Sequence, residues 1–321
     1  MKIGINCGPI VKTLGIDEGF YQIAQSGFDC VDLSLTHFLP IAWPYHSPQN
    51  RRQTPYETMS EEELLESVRP FKEAAEKYGL SIGQAHAVDP EFINDPETDE
   101  RLLEILKRTI IACGYLKCRY LIIHPVCCEF EINEFTHKME WDANMRRFGE
   151  LIPYLKQYDV IACLENMYTM CRWGEAGSNL RDRAYPAICS NPHEANQYVD
   201  ALNALAGEKR FAFCLDTGHA FMVGMKLDDV IRTLGNRLEA LHLNDNDGKM
   251  DWHMMPYTGV LPWEKVLDGL RNIGYQNTLN FELYMNFDKD IMPAAINYVA
   301  SVGKMFAKRI EQKEEEDYNE S

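Results

Sequence analysis

The sequence predicts a single (β/α)8 barrel. Three observations carry that expectation: eight short apolar runs with strand character, amphipathic stretches at helical spacing between them, and a glycine wherever such a stretch turns back to the next strand. The chain has 321 residues, a length that α/β barrels reach as one domain. An open doubly wound sheet is the alternative, but no G-x-G-x-x-G follows the first strand.

In chain order, the strands are expected at Lys2–Cys7, Cys30–Leu35, Ser81–His86, Tyr120–His124, Val160–Glu165, Phe211–Asp216, Ala240–Asn244 and Thr278–Glu282. Helical spacing follows in Leu64, Leu65, Val68, Phe71, Ala75 and Tyr78, then in Ala195, Tyr198, Val199, Leu202 and Leu205, and later in Val266, Leu267, Leu270 and Ile273. Ser60 with Glu63 reads as a capping box, and Asp95-Pro96 and Asn191-Pro192 each put a cap before a first-turn proline. Gly27, Gly79, Gly114, Gly207, Gly235 and Gly274 are the expected left-handed stops. Three segments exceed ordinary loop length: Thr36–Met59, Cys127–Glu140 and Met167–Ser190. All follow strands, so a barrel gathers them over its C-terminal face, with Trp43, Tyr45, Trp173 and Tyr185 as pocket walls or a surface for a homo-oligomer. The barrel is expected over residues 1–310, and 311–321 as an acidic, disordered tail.

Composition narrows the function. Hydrophobic residues make up 45% and charged residues 25%, which excludes a disordered, collagenous or coiled-coil chain. The net charge of −17 disfavours a nucleic-acid backbone or an anionic membrane as partner. No apolar run reaches the ~18 residues of a membrane span, and the opening residues lack a signal-peptide core. The ten cysteines show neither a Cys-x-x-Cys pair nor zinc-ribbon spacing, so they are expected as buried reduced thiols in a cytoplasmic protein.

Polar residues break the apolar strands at one place each time, the C-terminal end. His86, His124, Glu165 and Asp216 end the third to sixth strands, His242 and Asp245 mark the seventh, and Glu282 ends the eighth. One such residue is ordinary, but six consecutive strand ends are not. Barrel closure makes them converge, and several carboxylates in one pocket repel each other unless a cation compensates them. The mixed oxygen and nitrogen set suits Mn²⁺, Zn²⁺, Mg²⁺ or Co²⁺ and excludes a thiolate site.

With Leu-Glu-Asn (164–166), Leu-Asp-Thr-Gly-His (215–219), Leu-His-Leu-Asn-Asp (241–245), Asp-Trp-His (251–253) and Phe-Glu (281–282), the chain resembles the xylose-isomerase-like barrel superfamily. That superfamily includes sugar and sugar-phosphate isomerases and epimerases, and the endonuclease IV enzymes. The resemblance implies one divalent ion held by Glu165, Asp216, His242 and Glu282, with Glu165 and Glu282 as acid and base on opposite faces of a sugar or polyol. Proton removal next to a carbonyl then passes through an enediolate. It also implies that His86, His124, Asn166, His219 and His253 contact substrate. Lys249 is the nearest cation after the seventh strand, where family epimerases often carry an arginine that this chain lacks.

A keto-polyol dehydratase would use the same site. An endonuclease IV-like trinuclear zinc phosphodiesterase is the other alternative, because His86, His124, Glu165, Asp216, His219, His242, Asp251, His253 and Glu282 offer a residue for each of its nine ligands. Against it stand the acidic charge, the lack of a basic cluster beyond Arg51-Arg52, and Met254–Gly259 where a glycine-rich segment is usual.

Overall fold

The computed structural model describes residues 1–35, 55–88, 96–127, 134–169 and 184–312. All eight expected strands form. They are β1 (Ile3–Asn6), β2 (Cys30–Ser34), β3 (Ser81–His86), β4 (Tyr120–Ile123), β5 (Ile161–Glu165), β6 (Phe211–Asp216), β7 (Leu238–His242) and β8 (Leu279–Phe281). The sheet is parallel throughout, with β8 beside β1 at one end and β7 beside β6 at the other. Two bonds join the ends. Leu243 N–H donates to Asn280 O at 2.8 Å, and Glu282 N–H donates to Leu243 O at 3.2 Å. The chain is a single (β/α)8 barrel.

The connecting helices are α1 (Gly8–Leu14), α2 (Ile16–Ser26), α3 (Pro55–Thr58), α4 (Glu61–Tyr78), α5 (Pro96–Leu116), α6 (Glu134–Gln157), α7 (Pro192–Ala206), α8 (Thr217–Met222), α9 (Leu227–Leu234), α10 (Trp263–Asn272) and α11 (Met292–Glu311). The capping box at α4 is complete: Glu63 N–H donates to Ser60 Oγ at 3.2 Å, and Ser60 N–H donates to Glu63 Oε2 at 2.6 Å. Such a cap contributes about 1 kcal/mol. Asn191 caps α7 by accepting from His193 N–H. The cap expected at Asp95 lies outside the described residues. Gly27, Gly79, Gly207, Gly235 and Gly274 have positive φ as expected.

Gly114 departs from expectation. It lies inside α5, and the left-handed residue after the helix is Lys117, at φ 56°. A Cβ on Gly114 would come within 2.7 Å of Tyr158 Cδ1, so glycine is there for close packing between helices. Leu205, placed in an apolar stripe by its spacing, is 59% exposed.

The described ends of the long segments carry secondary structure. Residues 134–140 begin α6, Pro55–Thr58 forms α3, and Tyr168–Thr169 pairs antiparallel with Tyr185–Pro186. Trp43, Tyr45, Arg51, Arg52 and Trp173 lie outside the described residues. So do 313–321, most of the expected tail, while α11 continues through Glu311, which pairs with the Met1 amino group.

Strand alternation divides the interior. Ile122, Ile161, Cys163, Ala212, Cys214 and Ala240 form a small apolar cluster separate from the main core between strands and helices. Two residues further along the same strands come His124, Glu165, Asp216 and His242. With a period of two, these share the inward face and stand one layer above the cluster. Among the described residues every cysteine is free, and all but the partly exposed Cys127 are buried. No helix among the described residues is long and apolar enough to cross a membrane.

Candidate active site

Strands β3 to β8 bring His86, His124, Glu165, Asp216, His242 and Glu282 together at their C-terminal ends. Ligand-capable atoms of Glu165, Asp216, His242 and Glu282 lie within 4.8 Å of one another. His242 Nδ1 sits between the two glutamates, 3.0 Å from Glu165 Oε1 and 3.2 Å from Glu282 Oε2. Glu165, Asp216 and His242 are buried, and the Glu282 side chain keeps 19% exposure. These are the four residues that the sequence argument grouped.

Asp216 is held from three directions. Its Oδ1 accepts from His219 N–H at 2.7 Å and so caps α8, while its Oδ2 accepts from Asn244 Nδ2 at 2.7 Å. Asn166 clamps its backbone, donating to Asp216 O at 3.0 Å and accepting from Asp216 N–H at 2.9 Å. Gly218 follows because a Cβ there would collide with Asn244 Oδ1. Asn166 thus reaches the site as a brace for Asp216.

The expected substrate-facing histidines fall on two sides. His124 Nε2 and His86 Nε2 face Glu165 Oε2 at 3.2 and 3.5 Å. On the other side, Asp251 Oδ2 lies 3.0 Å from His253 Nε2 and 3.4 Å from His219 Nε2. His253 adopts φ 42°, a left-handed conformation uncommon for a non-glycine residue and concentrated at functional sites. Lys249 is not brought in. It is exposed on the turn organised by Asp247 Oδ1, and its ammonium makes no hydrogen bond or ion pair with the cluster. Asp245 also leaves the site: it accepts from Asn246 N–H, Leu261 N–H and Trp263 Nε1, organising the loop after β7.

Three residues were not singled out from sequence. Asp32, buried in the middle of β2, accepts from Gln84 Nε2 and Asn280 Nδ2, each at 2.9 Å, and its Oδ2 faces His242 Nε2 at 3.4 Å. An acid interrupting an apolar strand was the available signal. Tyr168 donates to Asp251 Oδ2 at 3.3 Å, and the Tyr284 ring stacks on His253 with centroids 4.3 Å apart. No sequence pattern marks either tyrosine.

The electrostatics are those of carboxylates and imidazoles crowded together. Burial opposes the charged form of Glu165, but His242, His124 and His86 outweigh it and hold the carboxyl well below the usual range. Burial, with Glu165 and Asp251 nearby, instead lifts Asp216. Burial also opposes charge on His219, yet Asp216, Asp251 and Glu165 raise it well above an ordinary histidine. His253 is pushed up to about 9, with Glu282 and Asp251 overcoming its burial. Without a cation, the carboxylates recruit protons onto neighbouring imidazoles.

Glu165 Oε2 is nonetheless buried without a directed hydrogen bond. A divalent cation fits the carboxylate oxygens together with His242 Nδ1, because it satisfies that orphaned oxygen and neutralises the carboxylates at once. Cys214 also lies within reach of Glu165 and His242, and burial pushes its thiol far above the usual range.

Comparison with known proteins agrees with the architecture. Residues 20–301 match the family described as xylose isomerase-like TIM barrel. A D-psicose 3-epimerase from Enterocloster bolteae is 27% identical over 135 residues, covering 40% of this chain and 42% of that enzyme, so the matched stretch is less than half of its length. A protein named probable endonuclease 4 from Mycoplasmopsis synoviae is 21% identical over 215 residues, or 64% and 67% of the two chains. Among solved structures, a D-tagatose 3-epimerase-like protein superposes with a TM-score of 0.67 at 19% identity, covering 97% and 98%. The IOLI protein, solved with a bound zinc atom, gives 0.62 at 15%, covering 97% and 98%. Identities this low between structures establish the fold alone. The family match spans most of the sequence, and the chain belongs to the xylose isomerase-like TIM barrel family.

Proposed function

We propose that the chain is a divalent-metal-dependent sugar or sugar-phosphate isomerase or epimerase. One observation carries the reading: Glu165, Asp216, His242 and Glu282 bring their ligand atoms within 4.8 Å of one another inside a buried pocket. These four residues would hold the ion, with Mn²⁺ or Zn²⁺ suited best and Mg²⁺ or Co²⁺ also compatible. When bound, such an ion polarises a sugar carbonyl and adjacent hydroxyl, contributing several kcal/mol of charge stabilisation.

The remaining chemistry belongs to the protein. Glu165 and Glu282 come from strands three places apart in the barrel and meet on either side of His242 Nδ1. A ketose between them presents its two faces to the two carboxylates. One takes the proton from carbon next to the carbonyl, and the other returns a proton to the opposite face. Positioned acid–base groups contribute about 10²–10⁴-fold each. Asn244 holds the Asp216 carboxylate and Asn166 clamps its backbone, while His242, His124 and His86 outweigh burial and favour the ionised form of Glu165. His219 and His253 line the other wall, each with Nδ1 on a backbone carbonyl and Nε2 facing Asp251. A dehydratase would share these steps and differ in expelling a hydroxyl.

The test is deuterium wash-in from D2O. Metal-loaded protein incubated with a ketohexose and ketopentose panel should exchange the carbon-bound hydrogen beside the carbonyl, and Glu282→Gln should abolish that exchange. No exchange with any ketose would overturn the reading.

A second reading has its own observation. His86, His124 and Glu165 form one further group that could hold a metal, and Asp216, His219 and His253 another. Three sites in a row suit the trinuclear phosphodiesterase suggested by the endonuclease-named relative. About three zinc ions per chain, with cleavage of abasic DNA, would favour it over one ion per chain.

A further inference from the structure

The residues after Glu282 lead out of the cluster into a second space. Tyr284, two residues beyond Glu282, stacks on His253 and is 57% exposed. The same tyrosine lines a cavity of ≈ 530 Å³, together with Pro9 and Lys12 from α1, Ser67 and Phe71 from α4, and Asn286. Pockets that enclose whole drug-sized ligands span ~300–1,000 Å³, so this space is a compartment in its own right. Tyr284 thus stands between this cavity and His253 of the candidate active site.

We propose that this cavity is a subsite for a second sugar ring, so that the substrate is a glycosylated ketose with its reacting end at Glu165 and Glu282. The inference rests on the isomerase or epimerase reading and adds the substrate class. The lining selects the occupant. Tyr284 and Phe71 provide aromatic and apolar surface for the C–H faces of a pyranose, while Lys12, Ser67 and Asn286 supply hydrogen-bonding groups for its hydroxyls. A terminal phosphate would call for convergent cations, and Lys12 is the one basic residue among the described residues of this lining. An alkyl or aryl tail would leave the hydrogen-bonding groups of Lys12 and Asn286 unused.

The experiment compares kcat/KM of the metal-loaded enzyme for fructose with that for glucosyl-fructoses linked through O4, O5 or O6. At least one disaccharide is expected to exceed the free ketose by tenfold or more. Ser67→Phe, which fills the cavity from α4, should lower that ratio at least tenfold. Because a ratio is read, a general loss of folded enzyme does not imitate the effect, and the wild-type comparison stands without any variant. Fructose turned over with every disaccharide equal or worse would overturn the subsite and leave the isomerase reading intact. A disaccharide preference untouched in folded, active Ser67→Phe would also overturn it. No turnover of any ketose, free or substituted, would overturn both.

Discussion

Replacing Asp32 by Asn tests whether a residue outside the four-residue cluster governs it. Asp32 Oδ2 accepts two amide donors, from Gln84 and Asn280, and faces His242 Nε2 at 3.4 Å. A carboxylate there favours a proton on Nε2, which leaves the Nδ1 lone pair directed at Glu165 and Glu282, where a cation would sit. Asparagine keeps the volume and can keep both accepted bonds through its carbonyl oxygen. That same oxygen faces His242 Nε2 but carries no charge, so the Nε2 proton is held less firmly and Nδ1 becomes a weaker donor to the cation, while the amide NH2 takes the place of Oδ1. Outer partners of metal-bound histidines typically change affinity 10–100-fold, or about 1.4–2.7 kcal/mol. Asp32→Asn should therefore weaken Zn²⁺ or Co²⁺ binding by that factor in a competing-chelator titration, while the metal-free protein melts close to wild type. Asp32→Ala also strands the Asn280 donor and much of the Gln84 donor, at about 1–3 kcal/mol each, so its metal-free form should melt lower. Affinity of Asp32→Asn within twofold of wild type would refute the tautomer argument.

Other outcomes follow from the same geometry. Glu282→Gln should reduce turnover at least 10²-fold with the far-ultraviolet spectrum retained, and activity near wild type on an identified substrate would sink the two-glutamate mechanism. Gly218→Ala should destabilise the protein by about 1–3 kcal/mol in urea titrations, because its methyl group meets Asn244 Oδ1 and displaces the brace on Asp216. At the other end of the barrel, burial works against the Glu239 carboxylate, but Lys209, Tyr120 and Asn277 hold it below the usual range. A depressed folded-state value means stability present above the unfolded value of ~4.3 and lost as pH falls through the folded one. Glu239→Gln should cost about 1–3 kcal/mol at pH 7, and its difference from wild type should shrink in acid; a pH-independent difference would contradict this. Removing metal with a chelator should lower the melting temperature, since ligand at 100 times its Kd stabilises by about 2.7 kcal/mol.

The fold was legible because strands of a parallel barrel are buried on both faces and read as unbroken apolar runs. The convergence of polar strand ends was legible for a related reason, because acids and imidazoles are costly beside such runs, but the choice of Glu165, Asp216, His242 and Glu282 among them came from the family resemblance. Asp32 escaped notice because it lies within β2 rather than at its end, and its partners Gln84 and Asn280 come from strands remote in sequence. Gly114 was misread because a packing glycine and a turn glycine look alike until Tyr158 is placed. Lys249 was nominated by proximity along the chain, whereas the Asp247 turn determines its exposure. Tyr168 and Tyr284 depend on how loops lie across the mouth, which periodicity does not encode.

The apolar cluster one layer beneath the carboxylates makes the barrel a cup rather than a tube. Ile122, Ile161, Cys163, Ala212, Cys214 and Ala240 fill its base from four strands, while Asp32, Gln84 and Asn280, buried and bonded to one another, face the interior from three others, so the barrel is a packed core and not a pore. Whatever enters must leave by the same rim, and a product cannot depart while its successor arrives. Turnover is thereby obliged to alternate between filling and emptying, and mutations at the rim should change product release as much as substrate capture.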